Sequence, residues 1–203
     1  MKNLKFNLKS NRTVQALCVF VCALVLSGCS YNSLVDMREN VESQWANVES
    51  QYQKRMDLIP NLVATVKGYA SHEESVFTQI ADSRSKLGGT VTIDSSITDD
   101  PEKLAQFQSA QDQIGMGIGR LLSLSENYPD LKANTAFLDL QSQLEGIENR
   151  IAVERKRYND MVGQYNKAIQ YFPASITAGM FHFEKKAYFR AESAAASAPR
   201  VEF

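Results

Sequence analysis

Apolar residues recur every three or four positions from Ala133 to Phe172, which is the most regular pattern in the chain. The positions on this line are Phe137, Leu140, Leu144, Ile147, Ile151, Glu154, Tyr158, Met161, Tyr165, Ala168 and Phe172. The spacing holds for roughly five heptads and predicts one helix of about 40 residues, ~60 Å long. Because such a helix cannot bury its apolar stripe against itself, we expect partner helices of comparable length.

A second line with the same spacing begins at Leu34 and predicts a helix that runs to about Lys86. Its positions are Leu34, Arg38, Val41, Trp45, Val48, Tyr52, Arg55, Ile59, Leu62, Val66, Tyr69, Glu73, Val76 and Ile80. Pro60 lies in the middle of this line, where it removes a backbone donor and predicts a kink. Two helices with a break at Leu58–Asn61 are the alternative.

A linker and a further helix separate these two lines. Residues Leu87–Asp100 have no helical period and include two adjacent glycines, which is typical of a linker. Thr98 or Asp99, close before a proline, is the expected N-cap. The helix is then predicted from Pro101 to Asn127, through Leu104, Phe107, Gln111, Ile114, Ile118, Leu121, Leu122 and Leu124.

The end of the chain is predicted to be short and packed, and then mobile. Phe172 and Pro173 stop the long helix, and residues Ala174–Phe189 are rich in aromatic side chains, as expected of a small helix and a packed end segment. We therefore predict an all-α fold over residues 29–190, an elongated up-down antiparallel bundle of three long helices plus a short C-terminal helix. Residues 191–203 are expected to form a flexible tail.

The first 28 residues have the features of a signal peptide. Lys2, Lys5, Lys9 and Arg12 form a basic start, and an apolar run of 13 residues, Thr13–Val25, follows. This run is shorter than the ~20 residues that a membrane-spanning helix needs. The next four residues, Leu26-Ser27-Gly28-Cys29, resemble the lipobox of bacterial lipoproteins, in which the cysteine is acylated by chains such as palmitate and becomes the first residue. The alternative is an uncleaved signal anchor.

Removal of this leader would change both the thiol content and the charge. Cys18 and Cys22 would leave with it, so the mature chain would keep Cys29 alone, without a disulfide or a thiolate metal site. Four of the 22 basic residues would also leave, so that 18 would face 23 acidic ones and the net charge would fall from −1 to −5. A mildly acidic domain is a poor candidate for binding nucleic acid.

Two motifs invite a chemical interpretation that their context does not support. Gly115, Gly117 and Gly119 alternate like a nucleotide loop, but they lie inside a helical pattern and no basic residue follows at the required spacing. Close approach of a neighbouring backbone, or a hinge, explains them better. His72-Glu73 lacks the second histidine of a zinc helix. We therefore predict no metal, no cofactor and no catalytic residues.

Four charged residues fall on lines that are otherwise apolar: Arg38, Arg55, Glu73 and Glu154. Because an unpaired buried charge is expensive, we expect these residues to form a structural polar core that fixes the register of the helices. Arg55 is expected to pair with an acid of the last long helix, with Glu154 or Glu148 as candidates. A contact with a ligand or a partner protein is the alternative.

Several separate motifs resemble the LemA family over nearly everything from Tyr31 to Phe203. They are Arg55-Met-Asp-Leu-Ile-Pro-Asn-Leu62, Val66-Lys-Gly-Tyr69, His72-Glu73, Tyr128-Pro-Asp-Leu-Lys-Ala-Asn134, Leu144-Glu-Gly-Ile-Glu-Asn-Arg-Ile151, Arg157-Tyr-Asn159, Tyr165-Asn166, Phe172-Pro173 and Ala198-Pro-Arg-Val-Glu-Phe203. The resemblance implies an N-terminal membrane attachment followed by a long antiparallel helical bundle, a LemA-like four-helix bundle. It implies no catalytic residues, since none is assigned to the family.

The resemblance also guides the expected compartment and partners. Members are often encoded beside membrane proteases or TPM-domain proteins, which suggests a role in envelope assembly or quality control. Many members keep a transmembrane segment where this chain has its lipobox. We therefore expect attachment through Cys29 on the periplasmic side, with the outer membrane favoured because Ser30 follows the cysteine. An inner-membrane protein with a single transmembrane helix is the alternative.

Two functions are compatible with these features. The first is a lipid-anchored helical scaffold or adaptor of the cell envelope that binds another envelope protein and is not an enzyme. The second is an accessory enzyme, or a protein that binds a small ligand or metal at polar positions within the bundle.

Overall fold

The computed structural model describes residues 2–70, 75, 77, 78, 80–82, 85 and 95–190. Its α-helices with defined bounds are α1 (Lys2–Lys67), α2 (Pro101–Leu124), α3 (Pro129–Lys132), α4 (Thr135–Ala168) and α5 (Ala174–Met180). Two 3₁₀ turns, Ser95–Asp99 and Ser125–Asn127, flank α2. None of the residues in these ranges forms a β-strand, and the all-α prediction is confirmed.

Helix α1 ends at Lys67 and does not continue to Lys86 as predicted. The amides of Tyr69 and Ala70 donate to the carbonyl of Val66 at 3.0 and 2.9 Å, and this closes a turn at Gly68. Pro60 lies inside α1, so the break comes after the proline. Glycine is a poor helix former, and the turn forms where it stands. The residues described between 75 and 85 are helical again.

Side chains cap the next two long helices. The carboxylate of Asp100, one or two residues beyond the predicted caps, accepts from the amides of Glu102 at 2.8 Å and Lys103 at 3.3 Å. Asp100 takes this role because it directly precedes the proline that begins α2. The amide of Phe137 donates to Asn134 Oδ1 at 2.9 Å and opens α4 in the same way. Of the predicted linker, residues 87–94 lie outside the described residues.

The chain divides into two compact units. The first unit comprises Met1–Asn40 and Gly163–Lys185. Among its described side chains, those of Leu34, Tyr165, Asn166, Ile169, Thr177 and Ala178 are buried. Within this unit the Tyr165 hydroxyl donates to the Glu184 carbonyl at 2.9 Å, which ties the segment after α5 to α4.

The second unit comprises Val41–Val162 and Lys186–Phe203, and large aromatic side chains form the centre of its core. The Trp45 ring lies 5.5 Å from Phe107 and 5.7 Å from Tyr158 between ring centroids, and Tyr52 lies 5.2 Å from Phe107. All three pairs have the edge-to-face geometry that aromatic rings prefer. Helices α1, α2 and α4 are therefore joined through one aromatic cluster.

Contacts within the second unit define the direction of its helices. Gln44 reaches Glu154 and Arg55 reaches Glu148, so α1 and α4 are antiparallel. Trp45 meets Phe107 whereas Arg55 meets Gln111, so α1 and α2 are parallel. The chain turns after α1 and passes through the helical residues near 80 before α2 begins, which is why α1 and α2 point the same way.

The buried line of α4 drifts away from the predicted 3-4 spacing. Phe137, Leu144, Ile151, Tyr158 and Tyr165 are buried as expected, whereas Phe172, four residues beyond the end of α4, is 81% exposed. Val162, Asn166 and Ile169 are buried beyond Tyr158. A straight helix has 3.6 residues per turn and drifts by ~20° per heptad against a 3.5-residue repeat. The buried face therefore moves by one residue over this length.

The three alternating glycines lie inside α2, and Gly117 makes the close approach. A Cβ built on Gly117 would lie 2.8 Å from Ile80 Cγ1, whereas one on Gly119 would have no neighbour within 4 Å. The neighbour at Gly117 is thus a side chain, whereas the sequence analysis expected a neighbouring backbone or a hinge.

Two alanine substitutions separate helix propensity from packing at this point. Gly119→Ala should stabilise the protein by about 0.5–1 kcal/mol, since alanine is the better helix former. Gly117→Ala should destabilise it by about 1–2 kcal/mol, because the overpacking against Ile80 exceeds that gain. Urea unfolding of both variants measures the difference; equal and favourable effects would mean that Ile80 does not pack against Gly117.

Candidate functional site

Among the residues of the second unit that the structure describes, Arg55 on α1 is the most deeply buried charge, with 4% of its surface exposed. Its Nη1 donates to both carboxylate oxygens of Glu148 on α4, at 3.0 and 3.2 Å. Its Nη2 donates to the backbone carbonyl of Gln111 on α2 at 3.0 Å and to the side-chain oxygen of the same residue. We call Arg55, Gln111 and Glu148 the arginine site. Of the two candidate acids, it is Glu148 that the structure places against Arg55.

The surroundings of the arginine site serve to hold the guanidinium. The Tyr52 ring centroid lies 5.1 Å from Arg55 Cζ, as in a cation–π contact. A Cβ on Gly115 would lie 3.8 Å from Arg55 Nη1, so the glycine leaves the guanidinium more room than a larger residue would. Burial raises the pKa of Tyr52, partly opposed by Arg155 and Arg55, so its phenol stays neutral near pH 7.

Glu154 joins α1 and α4 at a second point. Gln44 Nε2 donates to Glu154 Oε2 at 2.6 Å, and Arg157 Nη1 donates to Oε1 at 2.8 Å. Each oxygen of the carboxylate therefore has a partner, and Gln44 is itself buried. This arrangement holds the two helices together and presents no free acid for chemistry.

The other predicted site residues lie apart from these two clusters. Arg38 is half-exposed in the first unit, 3.9 Å from Glu39, with its guanidinium 5.4 Å from the Phe183 ring centroid. Glu73 and His72 lie outside the described residues. Cys29 is part of the helical backbone of α1, and its acylation stays a prediction.

Lys186 is a buried charge that the sequence patterns did not indicate. Its Nζ lies 2.6 Å from Asp99 Oδ1 and 3.6 Å from Glu42 Oε1, and it donates to Thr98 Oγ1 at 3.1 Å. Lys186 follows α5 in a stretch without regular secondary structure, where no helical period exists to single out a buried position. Nothing in the sequence alone would have found its partners.

Residues Lys186–Arg190, which we call the terminal segment, are bound through their backbone. The Ala187 amide donates to the Thr98 carbonyl at 2.7 Å, and the Ala187 carbonyl accepts from the Tyr158 hydroxyl at 3.0 Å. Asn159 accepts from the amide of Phe189 at 2.9 Å and donates to its carbonyl at 3.0 Å. Gln108 does the same for Arg190, at 3.2 and 2.8 Å.

A side chain of the terminal segment completes the aromatic core. Phe189 stacks on Trp45 at 5.8 Å between centroids and meets Tyr158 edge-on at 5.4 Å. The guanidinium of Arg155 covers its other side at 4.8 Å from the ring centroid. The terminal segment is therefore an integral part of the core of the second unit.

The second unit also has an apolar cleft of about 490 Å³. It is lined by Ile59, Pro60, Val63, Lys67, Phe77, Ile80, Ala81 and Ser85, and Lys67 Nζ lies 5.0 Å from the Phe77 ring centroid. Within the described ranges, no three histidine, cysteine, aspartate or glutamate side chains are grouped to hold a metal. None of the helices described is both long and apolar enough to cross a bilayer.

Comparison with known proteins decides the family. The model of the LemA family matches residues 44–203, which is most of the chain. This protein belongs to the LemA family. The matched range begins after the predicted leader and covers α2, α3, α4, α5 and the terminal segment.

Relatives of this LemA-family protein include magnetosome proteins. Magnetosome protein MamQ of Magnetospirillum gryphiswaldense is 27% identical over 197 residues, which cover 90% of this chain and 71% of the relative. Magnetosome protein MamQ 2 of Paramagnetospirillum magneticum is 26% identical over 200 residues, with the same coverage. Protein LemA of Metamycoplasma hominis is 24% identical over 160 residues, which cover 79% of this chain and 68% of the relative.

A double-mutant cycle tests the arginine site of this LemA-family protein. Arg55→Met and Glu148→Gln should each destabilise it, with a coupling energy of about 1–2 kcal/mol in urea unfolding. We expect a smaller coupling energy than for a fully buried pair, because the Glu148 side chain is 44% exposed. The matched cycle of Arg55→Met with Glu154→Gln should give a coupling near zero. Equal couplings in the two cycles would contradict the assignment of Glu148.

The buried phenol of Tyr158 makes stability fall at alkaline pH. Burial raises the pKa of Tyr158 above its ordinary value, with a smaller contribution from Asp99. A raised folded-state pKa gives stability that is complete below about pH 10, the pKa of an unfolded tyrosine, and is lost as the pH rises above it. Tyr158→Phe should lower stability by about 0.5–1.5 kcal/mol at pH 7 and make the decline above pH 10 shallower.

Urea unfolding between pH 7 and 11 measures this dependence. Tyr188→Phe is the matched control, because that ring is largely exposed and its loss should leave both stability and slope unchanged. Parallel curves for the wild type and Tyr158→Phe above pH 10 would show that this phenol does not control alkaline stability.

Proposed function

We propose that this LemA-family protein is a membrane-anchored helical scaffold of the cell envelope that acts by binding another envelope protein. The observation that carries the proposal is the use of the buried charges. Arg55, Glu154 and Lys186 are each held by hydrogen bonds and ion pairs that join helices or fix the terminal segment. Side chains bound in this way stabilise a rigid body and are not poised for proton transfer or nucleophilic attack.

An enzymatic or ligand-binding role at the polar positions is less well supported. It would need a charged or polar group directed into an open pocket, and the polar groups of the arginine site face one another across three helices. The cleft beside Phe77 is lined mainly by apolar side chains. A rigid bundle with a membrane anchor is better suited to presenting its surface to a protein partner.

The anchor of the proposed scaffold is Cys29. The order of basic start, apolar run and Leu26-Ser27-Gly28-Cys29 supports cleavage before the cysteine and acylation of its sulfur, with the mature protein on the periplasmic side. The outer membrane is favoured because Ser30 follows. Two or more acyl chains give firm attachment, whereas one gives only reversible binding.

Mass spectrometry of the mature protein tests this anchor. The wild type and the control Cys22→Ser should both begin at residue 29, carry acyl mass on Cys29 and sediment with membranes. Cys29→Ser should carry no acyl mass, and its membrane-bound fraction should fall. A wild-type chain that begins at Met1, or one that has an unmodified Cys29, would refute lipid anchoring.

The scaffold role is tested separately, by cross-linking in intact cells and purification from detergent-solubilised envelopes. Membrane proteases and TPM-domain proteins are the first candidates for the partner. A single envelope protein recovered in near-stoichiometric amount with the wild type, and lost with Cys29→Ser, would support the role. Repeated purification without such a protein would refute it.

A further inference from the structure

Helix α5 has an inverted distribution of side chains. Thr177 and Ala178, a polar and a small residue, are 3% and 4% exposed, whereas Ile176 and Met180 are 57% and 69% exposed. A helix on the surface of a globular protein normally turns its large apolar side chains inward. The outward face of α5 therefore has the character expected of a contact surface.

Neighbouring residues extend this outward face into an apolar patch. Tyr171 and Phe172 precede α5 and Phe181 follows it, and all three are more than half exposed. The Ser175 amide donates to the Tyr171 carbonyl at 2.8 Å, so the helical turn begins before α5 does. We call Tyr171, Phe172, Ile176, Met180 and Phe181 the apolar patch. Contiguous exposed apolar side chains of this kind mark protein or membrane contacts.

The apolar patch adjoins the end of the leader. The Tyr31 ring lies 4.7 Å from Phe181 and 5.8 Å from Phe183 between centroids, and these contacts lie within the first unit. Tyr31 is two residues after Cys29, and two residues of helix span ~3 Å. An anchor at Cys29 would therefore place Phe181, at one end of the patch, close to the membrane surface.

Basic side chains lie on the aromatic rings of the same unit. Lys167 Nζ is 5.4 Å from the Tyr171 centroid, and Arg38 Cζ is 5.4 Å from the Phe183 centroid. Aromatic rings at the level of the headgroups, with lysine and arginine reaching toward water or phosphate, are typical of the bilayer interface. Residues 30–40 and 163–185 contain three basic and three acidic residues. Their charges therefore balance, and no net attraction to anionic lipid is expected.

We propose that the apolar patch inserts into the headgroup layer of the bilayer and forms a second membrane contact beside the anchor. The inference rests on the proposed attachment at Cys29 and names the surface that the attached protein presents to lipid. Tethering favours lipid over a diffusing protein as the occupant, because it holds the patch permanently at high local concentration beside the bilayer. The contact is apolar and independent of headgroup charge.

A tryptophan reporter at Phe172 tests the insertion. The full-length lipidated protein carrying Phe172→Trp is reconstituted into phosphatidylcholine vesicles with brominated acyl chains. The native Trp45 is buried and gives a constant background, which the wild type measures. Leu138→Trp, at an exposed apolar position of α4 outside the patch, is the control. The fluorescence added by Phe172→Trp should be quenched at least ~3-fold more than that added by Leu138→Trp, because bromine quenches only at short range.

Removal of the patch tests its contribution to binding. The triple variant Phe172→Ser, Ile176→Ser, Met180→Ser should transfer from donor to acceptor vesicles roughly 100-fold faster than the wild type. A control triple variant, Met116→Ser, Leu138→Ser, Val153→Ser, removes exposed apolar side chains elsewhere and should transfer at the wild-type rate. The transfer rates of the wild type and of the two triple variants should be insensitive to salt and to anionic lipid. Circular dichroism checks that the variants remain folded.

The outcomes separate this inference from the proposed anchor. If the protein is membrane-bound but the patch reporter is quenched no more than the α4 control, the patch does not insert, although the anchor stands. A patch-reporter signal that changes only when an envelope protein is added would assign the patch to that protein and would also overturn the inference. If the chain carries no lipid on Cys29, the anchor fails, and the unlipidated Phe172→Trp protein mixed with the brominated vesicles still tests the patch: absence of quenching there would overturn the inference.

Discussion

The second unit depends on one buried guanidinium. Arg55 lies on an otherwise apolar face of α1, where a charge without partners would be expensive. Its bonds to Gln111 and Glu148 require α2 and α4 to approach with defined axial positions. A displacement of either helix by one turn, ~5.4 Å, would leave the charge without its partners. Aromatic packing alone tolerates such shifts more readily, so we regard the arginine site as the element that fixes register.

The terminal segment can bind only if that register is kept. Gln108 is three residues from Gln111 on α2, and Asn159 is three helical turns from Glu148 on α4. Both amide side chains bond to backbone groups of the terminal segment, and each forms two bonds at once. Such paired bonds need the donor and the acceptor at matched heights. The helices must therefore be aligned before the chain end can complete the core.

Helices could be predicted from the sequence because their period repeats over many residues, and the family motifs agree with that prediction. The burial of residues at the ends of the apolar patterns, and the points at which the helices end, were predicted less accurately. Phe172 fits the 3.5-residue repeat but is exposed, because α4 ends at Ala168 and the chain turns before it reaches Phe172. The end of α1 was misplaced because the apolar phase resumes beyond Gly68, although the backbone turns there.

The ion-pair partners of the buried charges were harder to predict than the positions of the charges themselves. Arg55 could be recognised as a charge on an apolar line, but Glu148 and Glu154 lie on one helix six residues apart. Only the axial offset between α1 and α4 selects one of them, and that offset is set by packing across the whole unit. Lys186 could not be recognised at all, since its segment has no regular secondary structure and its partners are up to 144 residues distant, from Glu42 to Lys186.

The two units differ in where their unusual residues lie, and the difference bears on how the protein is held at a membrane. In the second unit the charged groups of Arg55, Glu154 and Lys186 are paired, which serves rigidity. In the first unit large apolar groups are exposed around α5, which does nothing for folding in water and favours aggregation. Where the proposed anchor at Cys29 and the proposed patch act together, the apolar surface would limit rotation about the tether, and the first unit would keep one face toward the bilayer.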